Sequence, residues 1–117
     1  MGAKELRVGN WVISNGVEMQ LTQFGLGLHL TNQNLLDKTE PIPITEEWIV
    51  KFGFHYYDGV FSKDGGKLYG FDYDTYWLFD YGQDLWRVNK KPYFFKYKHV
   101  HQLQNLYFAL TGEELTI

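Results

Sequence analysis

The chain of 117 residues has no cysteine. That excludes disulfides, thiolate nucleophiles and cysteine-ligated zinc together. It has only two serines, Ser14 and Ser62, both beside hairpin turns, and no Gly-x-Ser-x-Gly elbow. No glycine-rich loop leads into a helix to cradle phosphate, because Gly25-Leu26-Gly27 lacks a third glycine. No apolar run approaches the roughly 20 residues of a membrane span, and Met1 to Arg7 lacks the apolar core of a signal peptide. Gly2 is followed by Leu6 where a myristoylation motif has Ser or Thr. A soluble cytoplasmic protein with no membrane partner is the expectation, and no cofactor is implied.

Aromatic side chains, by contrast, are plentiful. Of the four Trp, nine Tyr and nine Phe, all but Trp11 and Phe24 lie between Trp48 and Phe108. At this length the chain is read as one domain, 1–117, able to bury a core without staples. Net charge is −3, and the balance is uneven. From Arg87 to His101 there are five Lys or Arg and no acid. Such asymmetry points to a local interaction surface rather than to a fold.

Asn15-Gly16 is a strong hairpin signal, since both residues accept positive φ. It lies between an apolar strand ending at Ile13 and the alternation Val17, Met19, Leu21. Gly25-Leu26-Gly27 reads as a second turn and Leu28 to Thr31 as a short strand. This opening resembles small twisted β-barrels of the KOW or Src-homology type, although a plain meander explains it equally. Asn32 to Pro43, polar and carrying two prolines, reads as a connector with room for a sub-boundary between two half-domains. Thr45 suits a helix N-cap, with Ile44 and Ile49 placed as a hydrophobic staple, so Thr45 to Phe52 is predicted to be a short helix stopped by Gly53. Strands are then predicted at 54–57, 60–62, 67–73, 75–81, 85–88 and 93–97, punctuated by Asp58-Gly59 and Asp64-Gly65-Gly66. Val100, Leu103, Leu106, Tyr107 and Leu110 recur at helical spacing, with Gly112 as the stop.

The fold expected is α+β: an N-terminal β-hairpin or half-barrel, a short helix, an aromatic-rich antiparallel sheet, and a C-terminal helix packed on the sheet. The predicted core is Val8, Val12, Leu21, Trp48, Ile49, Phe52, Trp77, Phe79, Leu103, Leu106, Tyr107 and Leu110.

Glu5 to Val12, Pro43 to Phe54 and His99 to Leu115 together resemble a group of short proteins of gut Bacteroidetes, often encoded in phage or prophage-like regions. No activity is assigned to that group. The resemblance implies a small intracellular protein tied to mobile elements and carries over no catalytic residues.

Three constellations are candidates for chemistry. Asp72 and Asp74 would share one strand face, with Asp80 and Asp84 nearby, as in a divalent-cation grip. Aspartates that punctuate turns explain the same pattern and are favoured. His99 and His101 share a face only in extended chain and diverge in a helix, with no third ligand nearby in sequence. The third is the basic-aromatic segment: Arg87, Lys90, Lys91, Tyr93, Lys96, Tyr97 and Lys98, with Phe94 and Phe95 between. Cations track phosphates and exposed rings stack bases, so this composition suits a single-stranded nucleic acid. Which face of the strand is buried decides whether the tyrosines are available. The leading expectation is a non-enzymatic binding protein with a protein partner or a second copy of itself. Nucleic-acid binding through 87–98 is the alternative, and a metal-dependent enzyme the least favoured. The uncharged side of the last helix, Gln102, Gln104 and Asn105, is a further candidate surface.

Overall fold

Positive φ at Asn15 (51°) and Gly16 (81°) closes the first hairpin, a turn whose hand matches the strand twist. It joins β1 (Trp11–Ser14) to β2 (Val17–Gln20), with Ser14 opposite Val17. The structure, a computed structural model, describes the backbone of residues 5–64, 66–70, 77–81 and 94–117, and the side chains of these except 69, 70, 77–81 and 94–96. The chain divides into two compact units, Met1–Pro43 with His99–Leu115, and Ile44–Lys98 with Thr116–Ile117.

In the first unit the predicted turn and strand at Gly25 to Thr31 are instead one helix, α1 (Gln23–Thr31). The Thr22 hydroxyl accepts from the Gly25 N–H at 3.0 Å and starts it. One turn later His29 is buried, with Nδ1 2.7 Å from the Gly25 carbonyl oxygen and Nε2 3.3 Å from Ser14 Oγ. That anchoring overrides the poor helix propensity of two glycines. The predicted connector also acquires structure. It holds α2 (Gln33–Asp37), capped by Asn32, and β3 (Thr39–Pro41). β3 completes a three-stranded sheet of order β2-β1-β3. Pro41 is tolerated because β3 is an edge strand. Leu6, Val12, Leu21 and Leu36 form the core of this unit, with Met19 and Leu26 packed against it. Val8 was expected there but is 47% exposed. The chain turns at Arg7–Asn10, with Gly9 at φ 93°, so strand alternation does not extend back to Val8.

The helix that closes the chain, α4 (Val100–Thr111), belongs to this unit and ends at Gly112 in the left-handed region. Val100, Leu103 and Tyr107 are buried on it, and Leu106 and Leu110 are half-buried.

The second unit opens with α3 (Glu46–Lys51), where Thr45 Oγ1 accepts from the Trp48 N–H at 3.4 Å, as the N-cap pattern predicts. Trp48, Ile49 and Phe52 are buried. Gly53, at φ 91°, stops the helix, and Lys63 Nζ donates to the Phe52 carbonyl at 2.7 Å. Five antiparallel strands follow in chain order: β4 (His55–Tyr57), β5 (Val60–Lys63), β6 (Gly66–Gly70), β7 (Trp77–Tyr81) and β8 (Phe94–Tyr97). This is the predicted meander. The strand expected at 85–88 and the side chains of Trp77 and Phe79 lie outside the described residues. The α+β expectation therefore stands, with two antiparallel sheets and a C-terminal helix. No described helix is long and apolar enough to cross a membrane.

Candidate functional site

The basic-aromatic segment is only partly described. Tyr97 is 4% exposed, so its ring is core rather than part of an open platform. Strand alternation thus resolves toward a buried tyrosine at 97. No described group hydrogen-bonds to the Tyr97 hydroxyl, and burial pushes its ionisation well above the ordinary tyrosine value. Lys98 is half-buried. Arg87, Lys90, Lys91, Tyr93 and the side chain of Lys96 lie outside the described residues. So do Asp72, Asp74 and Asp84 and the side chain of Asp80. The β7–β8 register sets Lys96 opposite Leu78 and Phe94 opposite Asp80.

His99 and His101 do come together, with stacked rings 5.9 Å apart at 13°. His99 is the N-cap of α4, still extended, which removes the expected divergence. The buried ring of His101 has its Nε2 3.7 Å from Glu5 Oε1, beyond hydrogen-bond range, and Nδ1 meets no described partner. Burial lowers its pKa from the ordinary histidine value. The Glu5 carboxylate opposes that shift, while His99 adds to it. Among the described residues no group of three or more His, Asp or Glu could hold a metal ion.

Ser14 and His29 have the contacts of a nucleophile and base, with the imidazole oriented by a backbone carbonyl. Both side chains are buried, and a substrate carbonyl cannot approach Ser14 Oγ. The pair holds α1 to β1.

The uncharged residues of α4 are not a free surface either. Gln104 is 1% exposed. Its Oε1 accepts from the Trp11 N–H at 2.9 Å and its Nε2 donates to the Gly9 carbonyl at 2.8 Å. Asn105 Oδ1 accepts from Arg7 Nη1 at 2.8 Å and from Asn10 Nδ2 at 2.9 Å, and its amide donates to the Glu5 carbonyl at 2.8 Å. Arg7 also pairs with Glu114 and lies over the Phe108 ring, 4.2 Å from its centroid. The first and last sequence blocks singled out above are thus stitched together by side-chain hydrogen bonds. The signal was present: positions 100, 103, 104 and 107 follow the spacing of one helix face, so Gln104 falls on the apolar stripe.

Two surfaces missed by sequence reasoning carry exposed apolar groups. On α1, Phe24 is 77% exposed, and Leu28 and Leu30 are also open. In the second unit a groove of about 520 Å³ runs between α3 and the β4–β5 hairpin. Val50, Tyr56 and Phe61 line it, with Glu46, Glu47 and Lys51. The hairpin turn is Asp58-Gly59, with φ of 50° and 82°. Tyr56 lies 5.0 Å from the Phe61 ring. Tyr56 is 64% exposed and Tyr57 82%. Lys51 reaches Glu47 at 3.5 Å and sits 4.9 Å from the Trp48 ring centroid. Among the described residues no cation pairs with Glu46.

Comparison with known proteins adds no relative: no family model, curated protein or solved structure matches the chain.

Proposed function

We propose that this protein is a small non-enzymatic binding module that contacts a protein partner through the α3–β4–β5 face. The observation that carries this reading is the exposure of Val50 and Tyr56 along one groove. Tyrosine offers a large, rigid contact area with a polar tip and is enriched among the residues that dominate interface energy. A mixed apolar and charged lining is the usual make-up of a non-obligate interface. Catalysis has no comparable support among the described residues, since the one Ser–His pair is sealed and the two stacked histidines lack a third ligand. Nucleic-acid binding through 87–98 loses support with the burial of Tyr97. The resemblance to phage-linked proteins supports a setting in mobile elements.

A photo-crosslinking aromatic residue in place of Tyr56, compared with one at the exposed Glu18 on β2, tests the reading in the native host. A defined partner captured at 56 and absent at 18 is the expected result. Equal capture at both positions, or none at 56, contradicts it.

A further inference from the structure

The groove has an open sheet edge as one wall. β4 is the end strand of the five-stranded sheet, and no other described strand pairs with its outer side. Its hairpin has a two-residue loop, Asp58-Gly59, so Tyr57 and Val60 form the closing hydrogen-bonded pair. Hydrogen-bonded and non-bonded pairs alternate along an antiparallel ladder. Tyr56 and Phe61 are therefore a non-bonded pair, and the Tyr56 N–H and C=O turn to the outer edge. Natural edges are blunted by shortness and, where they are longer, by Lys, Pro or bulges. β4 reads His55-Tyr56-Tyr57 and has none of the last three; its shortness limits the ladder to the Tyr56 pair. The Phe54 N–H, the next outward donor, is already given to the Ile49 carbonyl at 3.3 Å.

The side chain of the same residue, Tyr56, lines the groove with Val50 and Phe61, beside Glu46 and Glu47. A chain that hydrogen-bonds to the Tyr56 backbone thus places alternate side chains against an apolar floor and an acidic rim. Successive same-face positions on such a chain are about 6.6 Å apart. Lys51 is drawn to Glu47 and to Trp48, which leaves Glu46 as the unmatched charge.

We infer that the occupant is an extended peptide segment of a partner protein, added to β4 as a strand, with an apolar residue and a Lys or Arg two positions apart facing the groove. This rests on the interaction surface proposed above and specifies the form of its partner. Main-chain pairing supplies affinity and the alternate side chains supply choice, the usual division of labour in strand addition. The acidic rim disfavours an acidic peptide or a nucleic-acid backbone at this face.

The test is selection of a random nonapeptide display library on the immobilised full-length protein, with Val50→Arg as the decoy. Val50 is exposed, so its replacement fills the groove without touching the core. Enriched peptides are expected to carry the apolar-x-Lys/Arg spacing. Fluorescence anisotropy should show binding at least about tenfold weaker to the double variant Glu46→Gln, Glu47→Gln. N-methylation of one alternate set of peptide amides should weaken binding at least about tenfold, and of the other set less than about twofold. Enriched peptides with apolar residues at helical spacing, or tolerant of every N-methylation, overturn strand addition and leave the interaction surface standing. Acidic consensus peptides overturn the charge assignment. No enrichment over the decoy overturns both the inference and the reading beneath it.

Discussion

The carboxamide of Gln104 grips the backbone at Trp11. Its oxygen accepts from the Trp11 N–H at 2.9 Å, while its nitrogen reaches the Gly9 carbonyl at 2.8 Å. A buried amide on α4 thereby stands in for a strand partner at the start of β1. Gln104→Leu keeps the bulk and removes both bonds. The Gly9 carbonyl keeps a bond from Gln20 Nε2 at 3.1 Å, so the loss falls on the part-buried bond to the Trp11 N–H and should be about 1 kcal/mol. Urea unfolding should show a drop of that size, whereas an unchanged midpoint would show that these bonds contribute nothing net.

His101 makes stability depend on pH. Its native pKa lies below the ordinary histidine value of about 6.5 because burial disfavours the charged ring. The unfolded chain therefore binds more protons in that window, and stability rises with pH there. The contribution is complete above about 6.5 and is lost as pH falls toward the depressed native value. The Glu5 carboxylate beside Nε2 moderates the loss and His99 enlarges it. Thermal unfolding from pH 8 to pH 5 should show a falling midpoint, and His101→Phe should flatten the fall. A variant with the wild-type slope would remove His101 as its source.

Tyr97 carries a buried hydroxyl with no described partner. Tyr97→Phe deletes a polar group that gains nothing from burial, so stability should rise by roughly 1 kcal/mol or stay level. A loss of more than about 1 kcal/mol in denaturant melts would mean that the hydroxyl is bonded after all.

Two glycines should respond in opposite directions to alanine. Gly53 sits at φ 91°, and a Cβ there would meet Lys63 Nζ at 3.0 Å, disturbing the bond to the Phe52 carbonyl. Gly53→Ala should cost about 1–2 kcal/mol. Gly27 lies inside α1, and a Cβ there would meet nothing within 4 Å. Gly27→Ala should add about 0.5–1 kcal/mol through helix propensity. Calorimetric midpoints moving the same way for both would contradict these backbone assignments.

Much of the architecture was legible because local chemistry and tertiary fold agree. Asn15-Gly16 and Asp58-Gly59 specify their hairpins, Thr45 caps α3, and the spacing from Val100 to Leu110 specifies α4. α1 was not legible. Gly25 and Gly27 argue for a turn, and the anchor that makes a helix of them is a contact between His29 and Ser14, distant in sequence. β3 was hidden by Pro41, which an edge strand permits. The exposed face of α3 and the β4–β5 hairpin was hidden for another reason. Tyr56 and Tyr57 look like any other aromatic pair in a crowded stretch, and only the three-residue length of β4 and its place at the sheet edge leave them exposed.

The most direct measurement is amide hydrogen exchange across the chain, with and without the partner captured at position 56. Binding through the α3–β4–β5 face predicts slowed exchange confined to residues 46–61, greatest at the Tyr56 N–H. The Trp11 amide, held by Gln104 in both states, should not change. Protection centred instead on Phe24 to Leu30 of α1, or on Tyr97 and Lys98, would contradict the account.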